Sequence, residues 1–139
     1  MEMCDTAISN LNSSWTSFTP SWTNLTVGSA TNQGYYKQIG KTVFFRTNLT
    51  LAADSSVGTG PRITNLPGTT ALTNITPIGN ALLRDATASY FDGHVVSSGI
   101  IQGKVISGTT IIWQNITATT PFTWTTSDEI NTIGFYEVQ

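Results

Sequence analysis

The sequence predicts an all-β domain, an antiparallel β-sandwich of jelly-roll type with eight or nine strands, and three observations carry the prediction. From Trp15 onward, apolar runs recur at short intervals between Gly, Pro, Asn and Asp, and no helical period extends past two turns. Charged residues make up only 10% of the 139, while Thr, Ser, Asn and Gly fill positions where a helical protein would carry Lys and Glu. The stretch that begins at Thr42 alternates cleanly. Val43, Phe45, Thr47, Leu49 and Leu51 share one face and Phe44, Arg46, Asn48 and Thr50 the other, which is the period of a half-buried strand.

The elements follow in order. Residues 1–14 stand apart as a short N-terminal segment, with Ala7, Ile8 and Leu11 at helical spacing and Asp5 or Thr6 available as a cap. One short amphipathic stretch is not stable alone. It reads either as the end of a trimeric coiled-coil stalk or as a disordered leader, and one heptad does not separate the two. Residues 15–139 form the sandwich domain, with strands expected at 21–27, 34–39, 42–51, 62–66, 78–85, 88–96, 100–107, 110–116 and 129–138. Gly40 marks the corner between the second and third. Asp85-Ala86-Thr87-Ala88 and Ser107-Gly108-Thr109 signal two tight hairpins. Residues 52–60 and 67–77 are the expected long loops, where a rigid sandwich usually carries recognition.

Composition and inventory exclude several function classes. The net charge is −2 and the six Lys and Arg residues are scattered, so no basic surface for nucleic acid is expected. Cys4 is the single cysteine, which leaves packing and association rather than disulfides to stabilise the chain. The first residues show no basic stretch followed by an apolar one, so neither a signal peptide nor membrane insertion is expected. Asn-X-Ser/Thr triplets begin at Asn12, Asn24, Asn48, Asn74 and Asn115, but a chain this rich in Asn and Thr produces them by chance.

Catalytic chemistry finds few participants. His94 is the only histidine and lies far from Cys4, so neither a metal cluster nor a Cys–His nucleophile is expected, and no cofactor. Asp85 and Asp92 flank a hairpin and are the one carboxylate pair that a glycosidase geometry would use. Their plainer roles are a turn aspartate and a solvated strand residue. Asp128 and Glu129 read as caps of the loop before the last strand; a calcium site shared with Asp54 lacks the Asp-X-Asp pattern. The chain is therefore read as a non-enzyme.

A binding role rests on exposed aromatics and amides. Sugars present apolar ring faces edged with hydroxyls, which an aromatic platform and planar polar side chains match. Alternation puts Tyr90, Asp92 and His94 on one face of their strand, and a neighbouring strand can add Trp113 or Gln114. Those two point to opposite faces, so only one can join. Tyr90 also suits cross-strand packing and Trp113 a core or interface position.

Several landmarks together resemble a known family. They are Phe18-Thr19-Pro20-Ser21-Trp22-Thr23, the run from Tyr35 to Arg46, Pro121-Phe122-Thr123-Trp124, and Asp128-Glu129-Ile130 closing on Gly134-Phe135-Tyr136-Glu137. Their order resembles the C-terminal β-sandwich domains of fibre, tail and capsid-surface proteins of tailed bacteriophages. The resemblance implies a virion-surface location, a homotrimer, contact with other virion proteins, and receptor binding to a host surface glycan. Its alternative is a structural head-decoration or fibre-assembly module; a polysaccharide-active enzyme comes third. Trp22, Phe45, Phe122, Trp124 and Tyr136 belong to these landmarks and are expected in the core or at the trimer interface.

Overall fold

A computed structural model describes residues 14–68 and 76–138. Ten strands and no helix appear among them: β1 Thr16–Phe18, β2 Trp22–Thr26, β3 Thr31–Ile39, β4 Thr42–Thr50, β5 Ser56–Ile63, β6 Pro77–Arg84, β7 Tyr90–Val96, β8 Ile101–Ser107, β9 Thr110–Asn115 and β10 Glu129–Glu137. They form two antiparallel sheets of unequal size. The large one has eight strands in the order β1-β3-β4-β10-β6-β7-β8-β9, and β2 and β5 form the small one. The expectation for residues 1–13, Cys4 included, and most of the 67–77 loop lie outside the described residues.

The alternation in β4 becomes the core. Val43, Phe45, Thr47 and Leu49 are 0–5% exposed, and the registers with β10 and β6 extend their face through Ile130, Tyr136, Ala81 and Leu83. From the small sheet Val57 and Ile63 close over this layer, with Trp22 and Leu25 packed against it. The inward face of β10 needs one concession to polarity. Thr132 meets Thr47 across the β4–β10 ladder, hydroxyl to hydroxyl at 2.6 Å, so two buried polar groups satisfy each other.

The landmark aromatics gather around this core. Phe45 and Tyr136 pair with ring centroids 5.8 Å apart. Phe122 lies between Phe91 at 5.1 Å and Trp124 at 4.2 Å, and the Trp124 indole N–H donates to the Thr120 carbonyl at 3.2 Å. Trp22, Phe122 and Trp124 are only partly buried, and the Trp22 indole donates to Asn32 Oδ1 at 3.1 Å.

Three expectations need correction. Residues 52–60 are not all loop, because β5 begins at Ser56. Gly58, Gly60 and Pro61 disguise that strand. Gly60 takes φ +66° and donates its N–H to Ile116 O at 2.7 Å, and residues 58–61 bulge out of register opposite Asn24 of β2, which has φ 58°. The strand expected at 62–66 ends at Ile63. Finally β1, three residues long, raises the strand number to ten; it is too short to show a period.

The two hairpin turns and the Gly40 corner form as expected. Ile39 pairs with Thr42 and Ser107 with Thr110, each across a two-residue turn whose glycine has positive φ. At the third turn Asp85 accepts from the Thr87 hydroxyl and N–H at 2.8 and 3.0 Å, which holds its carboxyl below the usual carboxylate range.

Candidate functional site

Among the described residues nothing covers the face of the large sheet that points away from the small sheet, and the registers decide what stands on it. One row runs Tyr35–Arg46–Ile133–Asn80–His94–Gln102–Asn115 across β3, β4, β10, β6, β7, β8 and β9. Trp113 lies on the same face of β9. Its ring stacks on His94 with centroids 4.0 Å apart and planes 21° from parallel. The Gln102 side-chain amide links the row, donating to Asn115 Oδ1 at 2.9 Å and turning its oxygen toward His94 Nε2. With that amide nitrogen already donating, the oxygen accepts, so His94 Nε2 carries the proton in this arrangement.

Beneath and beside Trp113 are two shallow, connected hollows. Arg46, Asn80, Asp92, Asn131 and Ile133 edge the first, over a floor of Thr47, Ala81, Gly93 and Thr132. His94, Phe135 and Pro77 edge the second, and the two share Asn80, Trp113 and Ile133. The Arg46 guanidinium carbon sits 5.0 Å from the ring centroids of both Trp15 and Tyr35, a cation–π contact that favours this position of the side chain. A polar ladder bounds the face further along β4 and β10. There Asn48 bonds Asn131 and Glu129, and Arg84 pairs with Glu129. Burial pushes the Glu129 carboxyl up, but the bonds from Arg84 and Asn48 outweigh it and hold the group below its ordinary value.

This face is also unusually apolar for open surface. Trp15, Phe44, Leu82, Tyr90, Ile106, Ile111, Trp113, Ile133 and Phe135 all stand on it, 37–77% exposed. Among the described large apolar residues that are exposed, Ile112 alone belongs to the other face.

Of the residues singled out from sequence, Asp92, His94 and Trp113 come together here. Trp113, not Gln114, is the one that joins, since Gln114 sits opposite Gly103 on the inward side. Tyr90 shares the face but stands apart from the hollows, opposite Arg84 and 66% exposed. Asp85 spends its carboxylate on its turn. The carboxylates proposed for calcium do not converge: Asp54 binds the Ser29 N–H and hydroxyl, whereas buried Asp128 accepts from the N–H groups of Ala86 and Thr125. No cluster of three or more His, Cys, Asp or Glu occurs among the described residues.

Arg46, Asn80, Gln102, Asn115 and Asn131 were missed from sequence. Strand parity puts Arg46 on the outward face of β4, but which asparagines adjoin it depends on β10 lying between β4 and β6, and no local signal encodes that order. A more enclosed recess elsewhere on the domain is lined by Ile63, Ile78, Gly99 and Tyr136 among others, none of them among the residues singled out for binding. No family model, curated protein or solved structure matches this chain.

Proposed function

We propose that the chain is a surface domain of a tailed-phage particle that attaches to its host by binding a cell-surface carbohydrate on the outward face of the large sheet. One observation carries the reading: a tryptophan held by ring stacking over a hollow edged by Asp92, Asn80, Asn131 and Arg46. An indole face receives the apolar face of a pyranose, and planar carboxylate, amide and guanidinium groups fix its hydroxyls. The hollow is shallow, so a single site is weak, and presentation in several copies on a particle supplies the avidity. The step from fold to host attachment also draws on the sequence landmarks described above.

A glycan array probed with the clustered full-length chain tests this. Trp113→Ala and Asp92→Asn are each expected to reduce binding at least tenfold, about 1.4 kcal/mol, while Gln114→Ala on the opposite face leaves it unchanged. Equal losses for all three, or no glycan bound by the unaltered chain, would remove the reading. The apolar character of the same face favours a second one, a head-decoration or fibre-assembly module whose outward sheet face is covered by other virion subunits.

A further inference from the structure

We propose that β9 is an intermolecular strand: the open edge of Thr110–Asn115 pairs antiparallel with the same strand of a second copy, joining two eight-stranded sheets across a two-fold axis perpendicular to them. This goes beyond the carbohydrate reading and does not depend on it.

Among the described residues, the edge is open. β9 ends the large sheet, and all six of its residues, Thr-Ile-Ile-Trp-Gln-Asn, are exposed. Long edge strands are normally guarded by Lys, Pro, a bulge or a covering segment. β9 has none of the first three, and its ladder with β8 runs without a register shift from Asn115 to Thr110. The other edge, β1, has only three residues. Among the described residues, β5 reaches only the far end of β9, where Gly60 donates to Ile116 O. The two-residue turn between Ser107 and Thr110 then sets which main-chain groups are free. Thr110, Ile112 and Gln114 turn theirs toward β8, and Ile111 and Trp113 present N–H and C=O to the open side.

The sequence of the edge argues for a copy of itself as occupant. A perpendicular two-fold keeps outward face beside outward face, so only residues of like parity can stand opposite one another. With Ile112 opposite its own copy, Ile111 faces Trp113 twice and Thr110 faces Gln114 twice. Apolar meets apolar, polar meets polar, and no charge is present to repel. Centring on Trp113 instead would set Ile111 against Asn115 and Ile112 against Gln114, and would need the end that β5 closes. Ile111 and Ile112, at 60 and 37% exposure, are the large apolar side chains at the edge itself, while the Trp113 ring leans back over the sheet onto His94, so side chains bury well under the roughly 800 Å² of each partner in a standard interface. The pairing is therefore weak and concentration-dependent. It also aligns the two Trp113 rings on one continuous outward face, and it makes the assembly two-fold where the sequence landmarks imply three-fold.

Light scattering of the full chain across a wide concentration range tests the proposal, with Ile112→Lys, Ile112→Glu and their equimolar mixture beside it. The unaltered chain is expected to pass from monomer to dimer mass. Each variant alone stays monomeric, because like charges meet at the axis, and the mixture recovers dimer mass. A monomer throughout, a trimer, variants that dimerise like the parent, or a mixture that stays monomeric would each overturn it. Hydrogen exchange on the unaltered chain is an independent check that requires no variant. Protection of the Ile111 and Trp113 amides should rise with concentration, and rapid exchange at every concentration would defeat the pairing.

Discussion

The same strands present opposite chemistry on their two faces. In β4, Val43, Phe45, Thr47 and Leu49 are sealed under the small sheet, while Phe44 and Arg46 between them face outward and are exposed. In β10, Ile130, Thr132 and Tyr136 are buried, yet Ile133 and Phe135 are more than 60% exposed. Both faces are rich in apolar side chains, so polarity alone does not separate them; the difference lies in what covers them. The inward face is covered by β2 and β5, and its burial stabilises the fold. Among the described residues nothing covers the outward face, where large side chains contribute little to folding and remain available for contact.

The sharpest way to break this comparison is a matched pair of truncations. Phe45→Ala should cost about 3–5 kcal/mol in urea unfolding, and Phe135→Ala within about 0.5 kcal/mol; similar losses would mean that the outward face is also core. Next in size comes Asp128→Ala. It removes the acceptor of two partly buried N–H groups, those of Ala86 and Thr125, and about 1–3 kcal/mol should be lost.

Thr47 and Thr132 test whether the buried polar pair matters as a pair. Thr47→Val alone strands one hydroxyl and should cost about 1–2 kcal/mol, whereas the double valine variant should recover most of that. A double variant as unstable as the sum of the singles would contradict mutual satisfaction.

The smallest expected effect is on pH dependence. Burial raises the pKa of the Tyr136 hydroxyl, which donates to Pro67 O. The folded chain thus favours the neutral phenol. Its contribution is present in full below the ordinary tyrosine pKa of about 10 and is lost as pH climbs from there toward the raised folded value. Tyr136→Phe should flatten the fall of stability on that alkaline side, measured by denaturant titration from neutral pH upward. An unchanged alkaline slope would place the titrating group elsewhere.

By itself the sequence determined the all-β class, the inward and outward sets of β4, the turns at Gly40, Asp85 and Gly108, and the common face of Asp92 and His94. Each follows from neighbours a few residues apart, through the two-residue period of a strand and the conformational freedom of glycine. Tertiary structure decided what depends on long-range pairing. The placing of β10 between β4 and β6 carried Asn131 and Asn80 to Arg46, and the β8–β9 register swung Trp113 onto His94 and Gln114 away from it. The bulged β5 was hidden for the same reason. Its glycines and proline look like loop in isolation, and become strand only because Gly60 finds Ile116 and Ile63 finds the core. Hydrogen bonds and burial between residues dozens of positions apart contribute the free energy that settles such choices, and no local window of sequence contains them.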